Sequence, residues 1–409
     1  ERPIPLRHPI VFYDGHLPAF NVNTLAKKGH GLPGVDDQLE ILFERGIDPG
    51  TSDEAARAAI ERWPARREVE EYGERADALV ERLLAEEPLD RRDRPAMRRG
   101  EAIWTSLEHE CMHHETFLYI VHALDPAKRN VPEPSLPPRG GREARATPER
   151  DRIRIPAGTA TLGAERDGIP FGWDNEFEAT EVEVPAFDID RFSVTNGELH
   201  DFVEAEGYET PELWSDEAWR WIRFQRIEHP HFWVRDGDGW KWRGMRGLVD
   251  LPADWPAWVT HAEASAYARW KGRRLPTEAE YHRAAFGMPS GGARRFPWGE
   301  ALPSREHGNF DLQSWDPLPV GSFPAGRSAW GVDDLVGNGW EWTSTPFAPF
   351  SGFAPMASYP QYSADFFDGA HFVMKGASPA TPKELVRGTF RNWFRPTYPW
   401  VWAKFRTVR

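Results

Sequence analysis

The 409-residue chain holds a single cysteine, Cys111. One thiol excludes an internal disulfide framework and any cluster of thiolate ligands, so a metal bound here must rest on nitrogen and oxygen. Positive charge is also in short supply. The 50 Lys and Arg stand against 64 Asp and Glu, for a net charge of −14, which argues against nucleic acid as a general partner because phosphate contacts need a basic surface. No apolar run reaches the roughly 18 residues of a membrane span, and no signal-peptide pattern is visible. The expectation is a soluble, cytoplasmic protein with no membrane partner. No internal repeat is found. Tryptophan, by contrast, is plentiful: 20 residues, a content that suits aromatic-lined pockets or loop-rich cores built on large rigid side chains.

The stretch with the most chemistry is Leu107-Glu108-His109-Glu110-Cys111-Met112-His113-His114-Glu115. His109 and His113 stand four apart, which on a helix puts both imidazoles on one face. No Gly or Pro interrupts residues 101–124, and Ala102, Ile103, Leu107, Phe117, Leu118, Ile120 and Val121 can form an apolar side. Two imidazoles on a buried stripe suggest a metal clamp. The same string reads literally as HExxH, the zinc-protease signature, in which Glu110 would be the general base.

Residues 9–124 read as mostly helical. Residues 10–26 contain Gly15 and Pro18, so a helix there is expected to kink or begin late. Residues 53–62, 66–86 and 94–124 complete a set that most simply forms a bundle, whose metal sites come from inward-facing side chains on different helices. His16, flanked by Phe12, Leu17 and Phe20, is taken as the third ligand. Its competitors are His8, ahead of the helix, His30, in a glycine-flanked loop, and His114, turned about 100° from His113. From 125 to 154 the composition shifts to Pro, Gly, Arg and Glu, as in a linker. Beyond it lie many short elements separated by turns, including a short element at 155–163, a partly alternating stretch at 182–189 and a helix over 261–271. Trp393, Tyr398, Trp400 and Trp402 read mostly as core.

Three strings carry a resemblance: Gly272-Arg273-Arg274-Leu275-Pro276-Thr277-Glu278-Ala279-Glu280-Tyr281, Val336-Gly337-Asn338-Gly339-Trp340-Glu341-Trp342-Thr343 and Phe390-Arg391-Asn392-Trp393. They resemble the formylglycine-generating-enzyme type of domain, a variant of the C-type lectin fold, while the first half resembles a DinB-type four-helix bundle. In this order the two resemble the sulfoxide-synthase family of ergothioneine and ovothiol biosynthesis, with its selenoneine-synthase relatives. The resemblance implies an α+β chain. A DinB-like bundle over 1–125 is followed by a linker over 126–152 and the lectin-like domain over 153–409.

It also implies a non-haem Fe(II) on His16, His109 and His113, with dioxygen, hercynine (trimethylhistidine) and a selenosugar or thiol donor as partners. Glu110 then loses the base role, since the third ligand lies upstream on another helix. Tyr359-Pro360-Gln361-Tyr362 matches the family's Tyr-x-x-Tyr. Tyr359 is implied as proton donor at the metal centre and Tyr362 as a pocket residue, although both also read as loop tyrosines packing an interface. Asn392 and Trp393 match positions that hold the betaine, whose trimethylammonium group suits an aromatic face. Relatives that use γ-glutamylcysteine carry Asp and Arg where this chain has Phe394 and Tyr398. They also carry Arg before a Pro where this chain has Trp63-Pro64, and often Gln at the position of Met112. A site without those charges should not select a dipeptide with two carboxylates. The expected activity is therefore formation of a C–Se or C–S bond on hercynine, leaning to the selenoneine branch. The rivals are a sulfoxide synthase using a cysteine-based thiol, and a zinc-bearing lectin-like binding protein without catalysis.

Overall fold

Pro9, in extended conformation, opens the first helix, α1 (Ile10–Asn21). In the computed structural model, residues 2–5, 7–44, 63–134 and 152–409 are described. The helix predicted over 53–62 and most of the predicted linker lie outside them. α1 begins without delay despite Gly15 and Pro18. Pro18 removes one helical N–H, and from Val22 to His30 the chain continues with the wider π winding. The segment ends at Gly31, whose φ of 71° lets its N–H reach Lys27 O (3.1 Å) while that of Leu32 reaches Ala26 O (2.9 Å).

A short helix, α2 (Asp37–Leu42), is capped by the Asp36 carboxylate, which accepts from the N–H groups of Gln38 and Leu39. The periodicity did not predict it. α3 (Arg66–Glu86) buries Val69, Tyr72, Ala76, Leu79 and Leu83 at helical spacing and packs along α1 and its π continuation. The last helix of this half, α4 (Glu101–His122), starts seven residues later than the spacing predicts. Arg98 is extended, and Arg99 and Gly100 take φ of 57° and 69°, so the preceding turn cannot feed into it directly.

The chain divides into two compact units, Glu1–His113 with Ala354–Tyr362, and His114–Phe353 with Ser363–Arg409. The segment 354–362, placed by sequence in the second domain, thus belongs to the first unit.

The second unit is mixed α and β. β1 (Arg152–Ile155) pairs antiparallel with β4 (Phe187–Asp190), and β2 (Gly158–Leu162) with β3 (Thr180–Val184). The stretch read as one alternating segment at 182–189 is therefore two strands of different sheets, broken at Pro185. Then come α5 (Asn196–Glu204), α6 (Asp216–Gln225) and the antiparallel meander β5 (Trp233–Asp236), β6 (Gly239–Gly244) and β7 (Gly247–Asp250). α7 (His261–Trp270) and α8 (Glu278–Phe286) both open on Thr-x-x-Glu capping boxes. A four-stranded sheet closes the fold in the order β10 (Asn392–Phe394), β9 (Phe372–Ala377), β8 (Gly339–Pro346), β11 (Ala403–Lys404), with β11 parallel to β8.

Trp173, Trp233, Trp242, Trp258, Trp340, Trp342 and Trp402 are fully buried, so much of the tryptophan excess is core. The family-bearing strings touch one another, the Phe390 ring stacking on Trp340 (5.8 Å). Arg391 grips Glu278 through two bonds (3.0 and 3.1 Å), and the Tyr281 hydroxyl donates to Leu335 O (2.6 Å). Asn338 bridges the backbone of Leu318 through its carboxamide (2.8 and 2.9 Å). Among the described residues no helix is long and apolar enough to cross a membrane.

Candidate metal centre

His16 projects from α1, and His109 and His113 from successive turns of α4, all three buried. Their Nε2 atoms form a triangle with sides of 3.3 Å (His16–His109), 3.2 Å (His16–His113) and 3.2 Å (His109–His113). His16 Nδ1 lies 2.6 Å from Phe43 O. A carbonyl only accepts, so the proton sits on Nδ1 and the Nε2 lone pair is left facing the other two rings. Burial lowers His16 to a pKa of about 4 against its bond to Phe43, and pushes His109 well below its ordinary value, helped by the neighbouring histidines. Neutral imidazoles with converging lone pairs repel unless a cation lies among them. With metal–nitrogen bonds of about 2.0–2.1 Å, ligand nitrogens lie roughly 2.8 to 3.4 Å apart, the short end on an octahedral face and the long end on a tetrahedral one. The observed triangle falls within that span. The donor set therefore fits a divalent cation, and Fe(II) and Zn(II) both accept three imidazoles.

Aromatic rings hold these side chains in place. Phe20 stacks on His109 (3.5 Å between centroids, 7°), Phe12 on His16 (5.1 Å, 20°), and Tyr13 lies against His113 (5.7 Å). Phe20 is one turn beyond His16, a spacing visible in the sequence. The Phe43 carbonyl is a backbone group and left no sequence signal. His8 stacks on the Phe12 ring (4.0 Å), His30 is buried at the end of the π segment, and His114 is exposed. None of the three joins the cluster. Glu110 is exposed too, so HExxH does not assemble a protease base here.

Tyr359 is brought to the centre by the segment Ala354–Tyr362. Its buried ring stands edge-on to Phe20 (5.1 Å) and 6.2 Å from the His109 ring, and Tyr362 lies 5.8 Å from it with its hydroxyl 3.3 Å from Met112 Sδ. The neighbouring Ser358 is the anchor. Its N–H and hydroxyl both donate to Glu101 Oε1 (2.9 and 2.9 Å), its Oγ meets Thr105 Oγ1 (2.8 Å), and its carbonyl accepts from Lys28 Nζ (3.3 Å). Nothing in the sequence marked this latch. Ser358→Ala removes the hydroxyl contacts at a cost of about 1–2 kcal/mol. Amide exchange across 354–362 should then accelerate roughly 5- to 30-fold, read by hydrogen–deuterium exchange; an unchanged rate there would mean that the latch does not hold the segment.

In the other unit, Asn392, Trp393 and Phe394 occupy β10, opposite Met374, Val373 and Phe372. Phe347 covers one face of the Trp393 indole (4.2 Å, 7°), and the Asn392 carboxamide oxygen accepts from the Trp393 N–H (2.9 Å). Phe394 packs on Tyr398 (4.8 Å), so these two candidate substrate-site residues form an aromatic pair. Trp402 and Tyr398 are buried, as the core reading expects, whereas Trp393 and Trp400 are only half-buried. Glu115, the last residue of the histidine-rich stretch, is structural: it accepts from Trp340 Nε1 (2.7 Å), Ser378 Oγ (2.6 Å), Thr381 Oγ1 (3.0 Å) and the Tyr119 hydroxyl.

Residues 140–409 match the sulfatase-modifying factor enzyme 1-like domain. Hercynine oxygenase of Mycolicibacterium smegmatis is 34% identical over 400 residues, 96% of this chain and 89% of that protein. Hercynine oxygenase of Mycobacterium tuberculosis is 41% identical over 248 residues, covering 60% of this chain and 57% of the relative. Ergothioneine biosynthesis protein 1 of Neurospora crassa is 28% identical over 487 residues, matching 100% of this chain but 54% of the fungal protein. The histidine triangle, the touching strings and a match that runs along nearly the whole bacterial relative lead to one conclusion: this chain belongs to the ergothioneine-type sulfoxide-synthase family.

Proposed function

We propose that the protein is a non-haem Fe(II), O2-dependent enzyme that forms a C–Se bond on the imidazole ring of hercynine with a selenosugar as the donor, or a C–S bond with a thiol. The triangle of His16, His109 and His113 carries this reading, and the relatives named hercynine oxygenase supply the substrate. The helical unit is read as a DinB-type bundle. Held by three neutral imidazoles, Fe(II) would supply dioxygen activation and open positions for the donor. Coupling a C–H to an Se–H or S–H bond removes two electrons and two protons; O2 accepts them and leaves as hydrogen peroxide, or gives one oxygen atom to the product as an oxide and leaves as water.

The chain's own groups do the rest. Phe12, Phe20 and Tyr13 keep the imidazoles oriented and exclude water from them. Tyr359, seated beside His109, delivers a proton from its phenol. Asn392 and the half-buried Trp393 offer a carboxamide and an indole to the betaine. Phe394 with Tyr398, and Trp63 packed on Phe43 (6.3 Å) and Phe12 (5.8 Å), present aromatic rings in place of carboxylate-binding charges. That favours a sugar-bearing donor over γ-glutamylcysteine. A second reading takes a cysteine-based thiol as the donor and a sulfoxide as the product; the relative named for ergothioneine biosynthesis favours it.

Incubation of the iron-loaded protein with hercynine and a panel of selenosugar, thiosugar, cysteine and γ-glutamylcysteine, read by mass, separates the two. Product from γ-glutamylcysteine alone would reject the selenosugar assignment. Tyr359→Phe should leave hercynine binding intact and cut turnover by about 10²-fold or more, or redirect the products. Unchanged rate and unchanged products would remove its role.

A further inference from the structure

Arg243 on β6 stands beside a second arginine and two imidazoles that burial keeps neutral, a group for which the chemistry proposed above has no use. Arg129, Arg243, His122 and His231 crowd together there. Burial, reinforced by Arg243 and His229, lowers His231 to a pKa of about 4. Burial also lowers His122 to about 3, against its bond to the Arg243 carbonyl, and Arg129, His231 and Arg243 push the same way as burial.

The two arginines differ in how they are satisfied. Arg129 spends its guanidinium on backbone carbonyls: Leu124 O (2.9 and 2.7 Å), Gly244 O (3.0 Å) and Met245 O (2.9 Å). Arg243 has no such outlet. Its Nε is buried without an acceptor, and among the described residues no carboxylate stands within ion-pair distance of its guanidinium. The side chain lines a cavity of about 270 Å³ with Trp221, Trp233, His229, His231 and Pro399. Two carboxylates share that wall without serving Arg243. Glu263 accepts from the Thr260 N–H (2.7 Å), the Thr260 hydroxyl (2.8 Å) and the Tyr208 hydroxyl (2.7 Å), while Glu228 is exposed at the rim with Arg226.

Arg243 is half-buried, its Nε is shut off from water without an acceptor, and an anion entering the cavity would complete it. We propose that this cavity binds a small organic carboxylate, with the Arg243 fork taking the carboxylate and Trp221 and Trp233 flanking an apolar or aromatic body. The planar guanidinium matches a carboxylate through two parallel bonds, and the indole walls favour a ring over a bare inorganic anion. The assignment does not depend on the metal centre or on turnover.

Isothermal titration calorimetry of the purified protein with benzoate, benzamide and hercynine tests it. Benzoate should bind saturably and benzamide at least tenfold more weakly. Arg243→Met should lower benzoate affinity at least tenfold, and Arg243→Lys should keep part of it. Without ligand, Arg243→Met should also leave the melting temperature unchanged or raise it, because it removes a buried Nε donor that has no acceptor; an arginine with only a structural role would give a fall. Displacement of benzoate by hercynine would identify the carboxylate as the substrate's own, and simultaneous binding would identify a second molecule; both keep the site. No saturable benzoate binding, equal affinity for benzamide, or wild-type affinity in Arg243→Met overturns it.

Discussion

A His113→Ala chain is expected to lose both bound metal and turnover while remaining folded. Two imidazoles, His16 and His109, would be left facing a gap that needs three. Even partners behind a ligand cost about 10–100-fold in metal affinity when removed, so loss of a ligand itself should exceed that range. The fold should tolerate the change because His113 brings a third lone pair into a buried cluster whose nitrogens already lie 3.2–3.3 Å apart. Without metal, the variant should melt at or above the wild-type temperature. The measurements are metal analysis of anaerobically purified protein and oxygen uptake in the presence of hercynine. A variant that turns over without metal would falsify the centre, and zinc in place of iron with no oxygen uptake would favour the non-catalytic rival.

Glu341→Ala is expected to produce the largest loss of stability. Glu341 is fully buried on β8, where Arg406 donates to it through Nε (2.5 Å) and Nη2 (2.9 Å) and Lys404 through Nζ (2.7 Å). Burial pushes the carboxyl up, but Arg406 and Lys404 outweigh that and hold it below its ordinary 4.5. Removing the anion strands two buried cations, a loss of about 3–5 kcal/mol. At roughly 2–4 °C per kcal/mol for a large domain, the melting temperature should fall by about 6–20 °C. The pH dependence has a fixed sign. A carboxyl with a depressed folded pKa contributes its stability above the unfolded value and loses it as pH falls through the folded one. Wild-type protein should therefore lose stability on acidification more steeply than Glu341→Gln, measured by thermal melts across pH. A fall of less than about 1 kcal/mol in Glu341→Ala would mean the trio is not the pillar its burial indicates.

Much of this molecule was legible in its residues because the relevant signals are local. The four-residue interval between His109 and His113 dictates a shared helix face, and apolar neighbours turn the His16 face inward. The interval at 66–86 gave α3 its buried side, and the helix read over 261–271 is α7. Local signals also misled. The 94–124 periodicity ran through a break at Arg98–Gly100, because apolar spacing says nothing about a residue's φ and ψ.

What no window of sequence could supply is closure between distant residues. Only the folded chain brings His16 within 3.3 Å of His109 across 93 positions, seats Tyr359 against Phe20, and fixes it through Ser358 to Glu101 across 257. Only the folded chain leaves Arg243 Nε without an acceptor while Arg129 spends its guanidinium on backbone carbonyls. Periodicity fixes which face of an element turns inward. Which faces then meet is decided by burial and hydrogen-bond satisfaction summed over the whole chain.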